Sequence, residues 1–515
     1  MRLLLHGKSA RQVCLLSGLT PVWLGSVAVL VLISLPVRAQ EAALRPLPPV
    51  DGYAVQPVAF YKMFLADDED GRAEMTLEER LAALEEKYFD LGDDYEVLKK
   101  KPKTTVSSGH GGSTMKVSGR VHLDHWAIPG DSPGVNIYEN NDPAISPQDR
   151  IGFRRLRFGV KGKLWKTMVY KIEMELARGN RVEFRDAYLG WSDLPFLQKL
   201  LIGNQKRPYG LDHINSSRYN VFMERAFVIE AINQDARRLG ILSYGVSEDE
   251  AWNWRYGVFN QRLIQDEGNY TSDHYQPELA GRMANTFWYD ESCGGRGYGH
   301  WAVSGTLADP DGSGIAGRAT NEARFRSRPE AGTISRWIDT GVIDGADNYQ
   351  MVGLENVWNF GPLQVVAEYQ NLWLDRNGGS DLHFDGGYFY VAYFLTGEHM
   401  PWERDMGQIG RVEPFENFFL VNTCCDGVRG GWGAWQIAYR MSYANFSDDD
   451  ILGGRGFSHT LGLNWHWNPH ARLQLNAIYG EIDDREGFDD ADPPNSLGPV
   501  AGHYTILGTR LMVDF

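Results

Sequence analysis

Arg324, Arg326 and Arg328 stand two residues apart. In an extended segment that spacing puts three guanidiniums on one face, about 6.6 to 6.8 Å from one to the next. Each carries a permanent charge and a fork of donors matched to the oxygens of phosphate or carboxylate. Arg155 and Arg157 share a parity with Lys161 and Lys163, so a second extended segment places four more cations on one side. Glu173, Glu175 and Glu183 interleave with them, which makes the field mixed. The chemistry open to such rows is the holding and passing of anions. Bond-making chemistry has no comparable support, because HExxH and Walker patterns are missing from the sequence. Asp448-Asp-Asp450 and Asp309-Pro-Asp-Gly-Ser313 lack a complete EF-hand pattern and read as acidic turns, so no metal or other cofactor is expected.

The elements that must position these residues are strands. Leu156, Phe158, Val160 and Leu164 alternate with the basic residues, and Tyr170, Ile172, Met174 and Leu176 alternate with Lys171, Glu173 and Glu175. The same period of two runs through Trp435–Tyr443, Leu461–Trp467 and Leu473–Tyr479. One stripe is apolar with Trp and Tyr near its ends, and the other is charged, as a wet interior permits and a packed sandwich core does not. Short connections such as Asn359-Phe-Gly-Pro362 and Asn468-Pro-His-Ala471 carry turn chemistry, whereas 308–319, 397–430 and 481–502 are long and rich in Asp, Gly and Pro. Short turns on one side and long loops on the other describe an all-β, antiparallel up-and-down transmembrane β-barrel of about sixteen strands over 115–515. Leu507, Leu511, Val513 and Phe515 share one parity at the chain end, the pattern of a C-terminal strand offered to barrel-insertion machinery, while Arg510 and Asp514 face inward.

The chain before the barrel divides into four. Residues 1–39 read as a signal peptide: Arg2, Lys8 and Arg11 precede the apolar run Val27–Leu35, and Val37 and Ala39 flank a cleavage position. Its loss, with Arg38 as a fourth base and no acid, takes the formal charge from −16 to −20, which argues against a nucleic-acid partner. A mean hydropathy of −0.37 excludes a polytopic helical membrane protein. Residues 40–75 form a Pro-rich acidic linker. Within 76–101, Leu77, Leu81, Leu84, Tyr88, Leu91, Tyr95 and Leu98 keep a 4-3 spacing, the seam of a short coiled-coil helix suited to self-association. Residues 102–114 form a flexible linker. Cys293, Cys424 and Cys425 leave one loop-to-loop disulfide open in an oxidising compartment.

Several strings resemble the phosphate-selective porin O and P family. They are Arg185-Asp-Ala-Tyr188, Gly203-Asn-Gln-Lys-Arg-Pro-Tyr-Gly-Leu211, Ser216-Ser-Arg-Tyr-Asn-Val-Phe-Met-Glu-Arg225, Arg324-Phe-Arg-Ser-Arg-Pro-Glu330, Asp339-Thr-Gly341, Phe384-Asp-Gly-Gly-Tyr388, Phe394-Leu-Thr-Gly-Glu398 and Leu461–Pro469. They occur in order over roughly 115–515. The resemblance implies a sixteen-stranded outer-membrane barrel, a homotrimer, passing small anions such as phosphate by diffusion, with its N-terminal segment in the periplasm and its outer face in lipid. It implies that Arg324, Arg326 and Arg328 lead anions along the pore wall and that Arg154, Arg155 and Arg157 form a second basic run. It also implies that Lys206 fills the lysine of a Gly-x-x-Lys-x-Pro string and that Arg225 closes a loop folded inward to narrow the lumen. The negative charge, much of it in Asp483-Asp-Arg-Glu486 and Asp489-Asp-Ala-Asp492, opposes strict phosphate selectivity. The alternatives are a general porin, an occluded barrel acting in binding or adhesion, and an outer-membrane hydrolase using a pair such as Ser304 and His300.

Overall fold

Alternating apolar and polar side chains give each strand one face for lipid and one for water, and in a computed structural model of the chain sixteen such strands close on themselves. The structure describes residues 105–107 and 113–515 apart from 178–181, 234–235, 265–274, 312–320, 424–426, 490 and 492–493; the side chains of 105–107 and 420–429 are also left undescribed. The signal, the linker, the heptad segment and the vicinal cysteines lie outside the described residues. The barrel strands are β1 (Thr114–Gly130), β2 (Arg150–Leu164), β3 (Met168–Glu175), β4 (Glu183–Leu194), β5 (Gln198–Lys206), β6 (Arg237–Val246), β7 (Trp252–Asn260) and β8 (Pro277–Tyr289). They continue as β9 (Gly297–Ala308), β10 (Ala346–Phe360), β11 (Leu363–Arg376), β12 (Leu382–Phe394), β13 (Ala434–Asp448), β14 (Ile451–Asn468), β15 (Ala471–Phe488) and β16 (Ser496–Asp514). Each pairs antiparallel with the next. β16 then pairs with β1 from Arg120↔Asp514 to Gly130↔Thr505, so no edge is left open.

Leu507, Leu511, Val513 and Phe515 are exposed on the outside of β16, whereas Arg510 and Asp514 are buried inside, 1% and 2% exposed. The outer apolar belt has two borders. At one end Trp435 stacks on Trp465 with ring centroids 4.8 Å apart. At the other, cross-strand partners Asn371, Asp385, Asn445, Arg455 and Asp483 make an outward polar row over β11–β15. Trp465 and Arg455 are ten residues apart on β14. That is about 34 Å along the strand and, at a tilt near 45°, about 24 Å of membrane depth, close to the apolar band of such barrels.

An even strand number puts Thr114 and Asp514 at one rim, with the short connections 165–167, 195–197, 361–362 and 469–470. The expected separation of short and long connections is corrected in two places. The connection 395–433 lies at this terminus rim, and it enters the barrel: Trp402, Ile409 and Val412 are buried, and Trp402 stacks on Tyr298 of β9 with centroids 5.2 Å apart. The stretch 481–502 is mostly strand, since β15 and β16 stay paired as far as Phe488↔Ser496 and leave only 489–495 as loop. Bulges at Ile482/Arg485 and Gly487/Phe488 absorb the polar residues that made it read as a loop.

The described parts of three segments, 207–236, 309–345 and 395–433, fill part of the lumen. Their apolar residues, including Phe222, Phe227, Phe325, Trp337 and Ile409, pack into one core with the inward faces of β10–β16, such as Phe384, Phe446 and Tyr504. From β1–β5 only Trp126 belongs to that buried core. The apolar packing is therefore concentrated on β6–β16, where it surrounds buried charges such as Glu355, Glu368, Arg440 and Arg472, while the inward faces of β1–β5 are chiefly polar and charged.

The candidate channel lining

The inward faces of β1–β5 carry Lys116, Arg120, Arg155, Arg157, Lys161 and Lys171 together with Glu173, Glu175 and Asp186. Arg157 donates to Glu175 at 2.7 Å and Glu173 at 3.2 Å, and Arg120 donates to Glu173 at 3.1 Å. Lys171 pairs with Asp186, which also accepts Arg237 at 2.8 Å. Lys116, Lys161 and Lys171 are direct cross-strand partners on β1, β2 and β3. Among the described residues Lys116 and Lys161 have no carboxylate at ion-pair distance, and Lys161 is exposed.

Arg154 and Arg155 both face inward, against strict alternation. A bulge between His122 and Leu123 leaves Arg154 as the extra residue of β2, since His122 pairs with Arg155 and Leu123 with Phe153. Both arginines meet Glu224 of segment 207–236. Arg154 is bidentate at 2.9 and 2.8 Å, and Arg155 stands 3.8 Å away. Arg510 of β16 joins the same carboxylate at 2.6 Å and holds Asp124 through two bonds of 2.6 Å. Burial alone would raise the Glu224 carboxyl, but these guanidiniums outweigh it and hold it well below the usual carboxylate range.

Segment 207–236 is fastened around a one-turn helix, α1 (Leu211–Ile214). Gly210 enters it at φ +79, where a Cβ would stand 2.9 Å from Gln370 Nε2. Glu368 of β11 accepts the amides of Leu211 and Asp212, each at 2.7 Å. Lys206 donates to the carbonyls of His213, Ile214 and Asn215 at 2.8, 2.9 and 2.8 Å, closing the other end. Arg225 donates to the Asp212 carbonyl at 2.7 Å. Lys206 and Arg225 thus spend their donors on the loop itself.

Arg324, Arg326 and Arg328 lie in segment 309–345, not in a barrel strand. Only Arg326–Ser327 is strand, paired with Ile338–Asp339. The stretch 324–328 nonetheless alternates as an extended one does: Phe325 and Ser327 are buried while the three arginines are half-exposed. Arg324 is bidentate to Asp339 at 2.8 and 2.6 Å. Arg328 reaches Glu230 at 3.1 Å, on a short helix of 207–236, α2 (Phe227–Ile232). Glu330 anchors the segment to the wall through Arg440 at 2.6 Å and Ser458 at 2.9 Å.

The structure therefore brings Arg154 and Arg155 together on Glu224, with Arg157 further along β2, Lys206 and Arg225 beside α1, and the arginine row in a loop of its own. Sequence reasoning placed Arg510 inward without naming it a lining cation, and passed over Arg120, Lys171 and Arg237 and their partners Glu224 and Asp186. The parity of Arg510 and Lys171 was a usable signal. For Glu224 there was none, because its partners come from both sides of the closing seam.

An apolar outside of membrane depth, a charged inside and loops folded into the lumen define a channel-forming outer-membrane barrel. Residues 130–515 match the family described as Phosphate-selective porin O and P, and the chain belongs to it. It is 24% identical over 442 residues to Porin O of Pseudomonas aeruginosa, covering 77% of this chain and 90% of that one. A Caulobacter vibrioides protein without an assigned function is 28% identical over 417 residues, 79% of this chain and 75% of the other. Among solved structures, OmpT of Vibrio cholerae in its trimer form overlaps 78% of this chain and 99% of its own, at 13% identity and a TM-score of 0.45. The protein is an outer-membrane porin.

Proposed function

We propose that the pore passes anions in modest preference to cations, with phosphate competing against chloride. The observation that carries this reading is the uneven exposure of the two signs along the lining. The acids Glu173, Glu175, Asp186 and Glu224 are buried against arginines and lysine, while cations keep the solvent: Arg324, Arg326 and Arg328, Arg154 (31% exposed as a side chain), Lys171 and Lys161. A solute then meets a net positive wall at close quarters, within a Debye length of about 8 Å. Permeating anions, membrane lipid on the outer belt and insertion machinery acting on the Phe515 strand are the partners of this reading. In this reading the rim that carries Thr114 and Asp514 is periplasmic, the N-terminal segment lies on that side, and the heptad of 76–101 ties three copies together there. Deleting 76–101 should weaken the native oligomer after extraction.

The test is the reversal potential of purified protein in a planar bilayer under a KCl gradient, repeated with phosphate added. Arg326→Ala should move it toward cations without abolishing the pore. A wild-type pore that prefers cations, or an unchanged Arg326→Ala potential, leaves a general diffusion porin. Entry of 395–433 into the lumen, where the Ile409 amide donates to Asn215 at 3.1 Å, favours a second reading: an occluded barrel acting in binding or adhesion. Folded protein that opens no pore would decide for it.

A further inference from the structure

Glu224 sits where a permeating oxyanion would. Its two oxygens take the fork of Arg154 in parallel, the geometry a guanidinium gives to phosphate or carboxylate, and Arg510 and Arg155 crowd the same group. Arg154 and Arg155 belong to the very run that reads as an anion ligand in the sequence. Of the three cations, Arg154 is the one open to the lumen, 31% exposed against 5% for Arg155 and 2% for Arg510. The backbone of the acid is fixed: its carbonyl accepts Arg440 at 2.9 Å, and the preceding Met223 is fully buried. Glu224 also lines a cavity, together with Asp212, Asn215, Tyr388 and Arg440.

We propose that Glu224 is a tethered competitor that sets how long the constriction holds an oxyanion. This deepens the anion-channel reading and rests on it. Without Glu224, Arg154 and Arg155 beside an Arg510 held by Asp124 alone would bind a phosphate too tightly to let it leave, and conduction needs release as much as entry. A phosphate enters the Arg154 fork as the carboxylate swings toward the cavity, and the returning carboxylate expels it. No bond is made or broken. Because the guanidiniums keep Glu224 ionised through the physiological range, the competition is always present and does not depend on pH.

The test uses full-length protein in planar bilayers and reads the phosphate concentration that halves the chloride current. Glu224→Gln should lower it by about tenfold or more, the worth of one charged hydrogen-bonding partner. Glu224→Asp, which keeps the charge on a shorter arm, should fall between the two. Phosphate block that is unchanged or weaker in folded, heat-modifiable Glu224→Gln overturns the proposal. Should that variant fail to fold, Arg154→Lys keeps the charge and loses the fork: block by phosphate should weaken more than chloride preference, and equal block overturns the idea. A wild-type pore that prefers cations overturns the anion reading itself, whatever Glu224→Gln does, so the two failures are distinguishable.

Discussion

Asp514, the last residue of β16, accepts Arg411 Nη1 at 3.0 Å and thereby ties the inserted segment 395–433 to the closing seam of the barrel. Arg218 of segment 207–236 reaches the same carboxylate at 3.0 Å. Two lumen-filling segments from distant parts of the chain are therefore locked by one acid next to the strand pair that completes the cylinder.

Asp514→Asn should free both segments, because removing one partner of a buried pair leaves cations without compensation, a cost of about 3–5 kcal/mol. Single-channel records should show flickering between sublevels and a larger maximal opening. Traces matching wild type would mean that apolar packing alone seats the segments.

Lys206→Met tests whether this lysine guides solute or holds the loop. Three carbonyls lose a charged donor, a destabilisation of about 2–3 kcal/mol. The expected outcome is easier protease cleavage within 207–236 and a noisier pore. A stable loop combined with a loss of phosphate block would return Lys206 to the solute path.

The barrel was legible because lipid imposes period two wherever a strand crosses it, and Trp435–Tyr443 or Leu473–Tyr479 show that period without a break. Lumen segments answer to different rules. Phe325, Trp337 and Ile338 are buried by Phe384, Phe446 and Tyr504, contacts made across the barrel that no local pattern announces. The rim on which 395–433 emerges follows from counting strands, and the composition of that segment carries no sign of side. Arg154 faces inward only through a bulge, a one-residue slip that alternation treats as noise. The candidate lining was thus half readable: the cations and the acids Glu173 and Glu175 could be nominated from spacing, but Glu224, which three guanidiniums share, comes from a lumen segment.

Phe515 supplies an insertion test. Its ring covers Gly119, whose added Cβ would come within 2.4 Å of it, and Gly119 and Phe515 exchange backbone hydrogen bonds at 3.0 and 3.2 Å. Phe515→Asp should lower the yield of the folded, heat-modifiable form, and Gly119→Leu should do the same by displacing the ring. Normal yields of both would remove the terminal aromatic from the closure.

Asp212 gives the pore a pH dependence of known sign. Burial raises its carboxyl above the ordinary range, against the pull of Arg225, Arg440 and Lys206 and with the push of Glu330. The Glu368 carboxylate also stands at its backbone amide, at 2.7 Å. A raised folded pKa means that docking of α1 is favoured by protonation: the contribution is complete below the unfolded value of about 3.9 and is lost as pH rises through the folded one. The same proton removes a negative charge from the lining. As pH falls through that raised value, which lies above the usual carboxylate range, the reversal potential should therefore move toward anions. Asp212→Asn should hold the acid-side potential throughout that titration. A wild-type potential that is flat with pH, or an Asp212→Asn pore that still shifts, would assign the titration to another group.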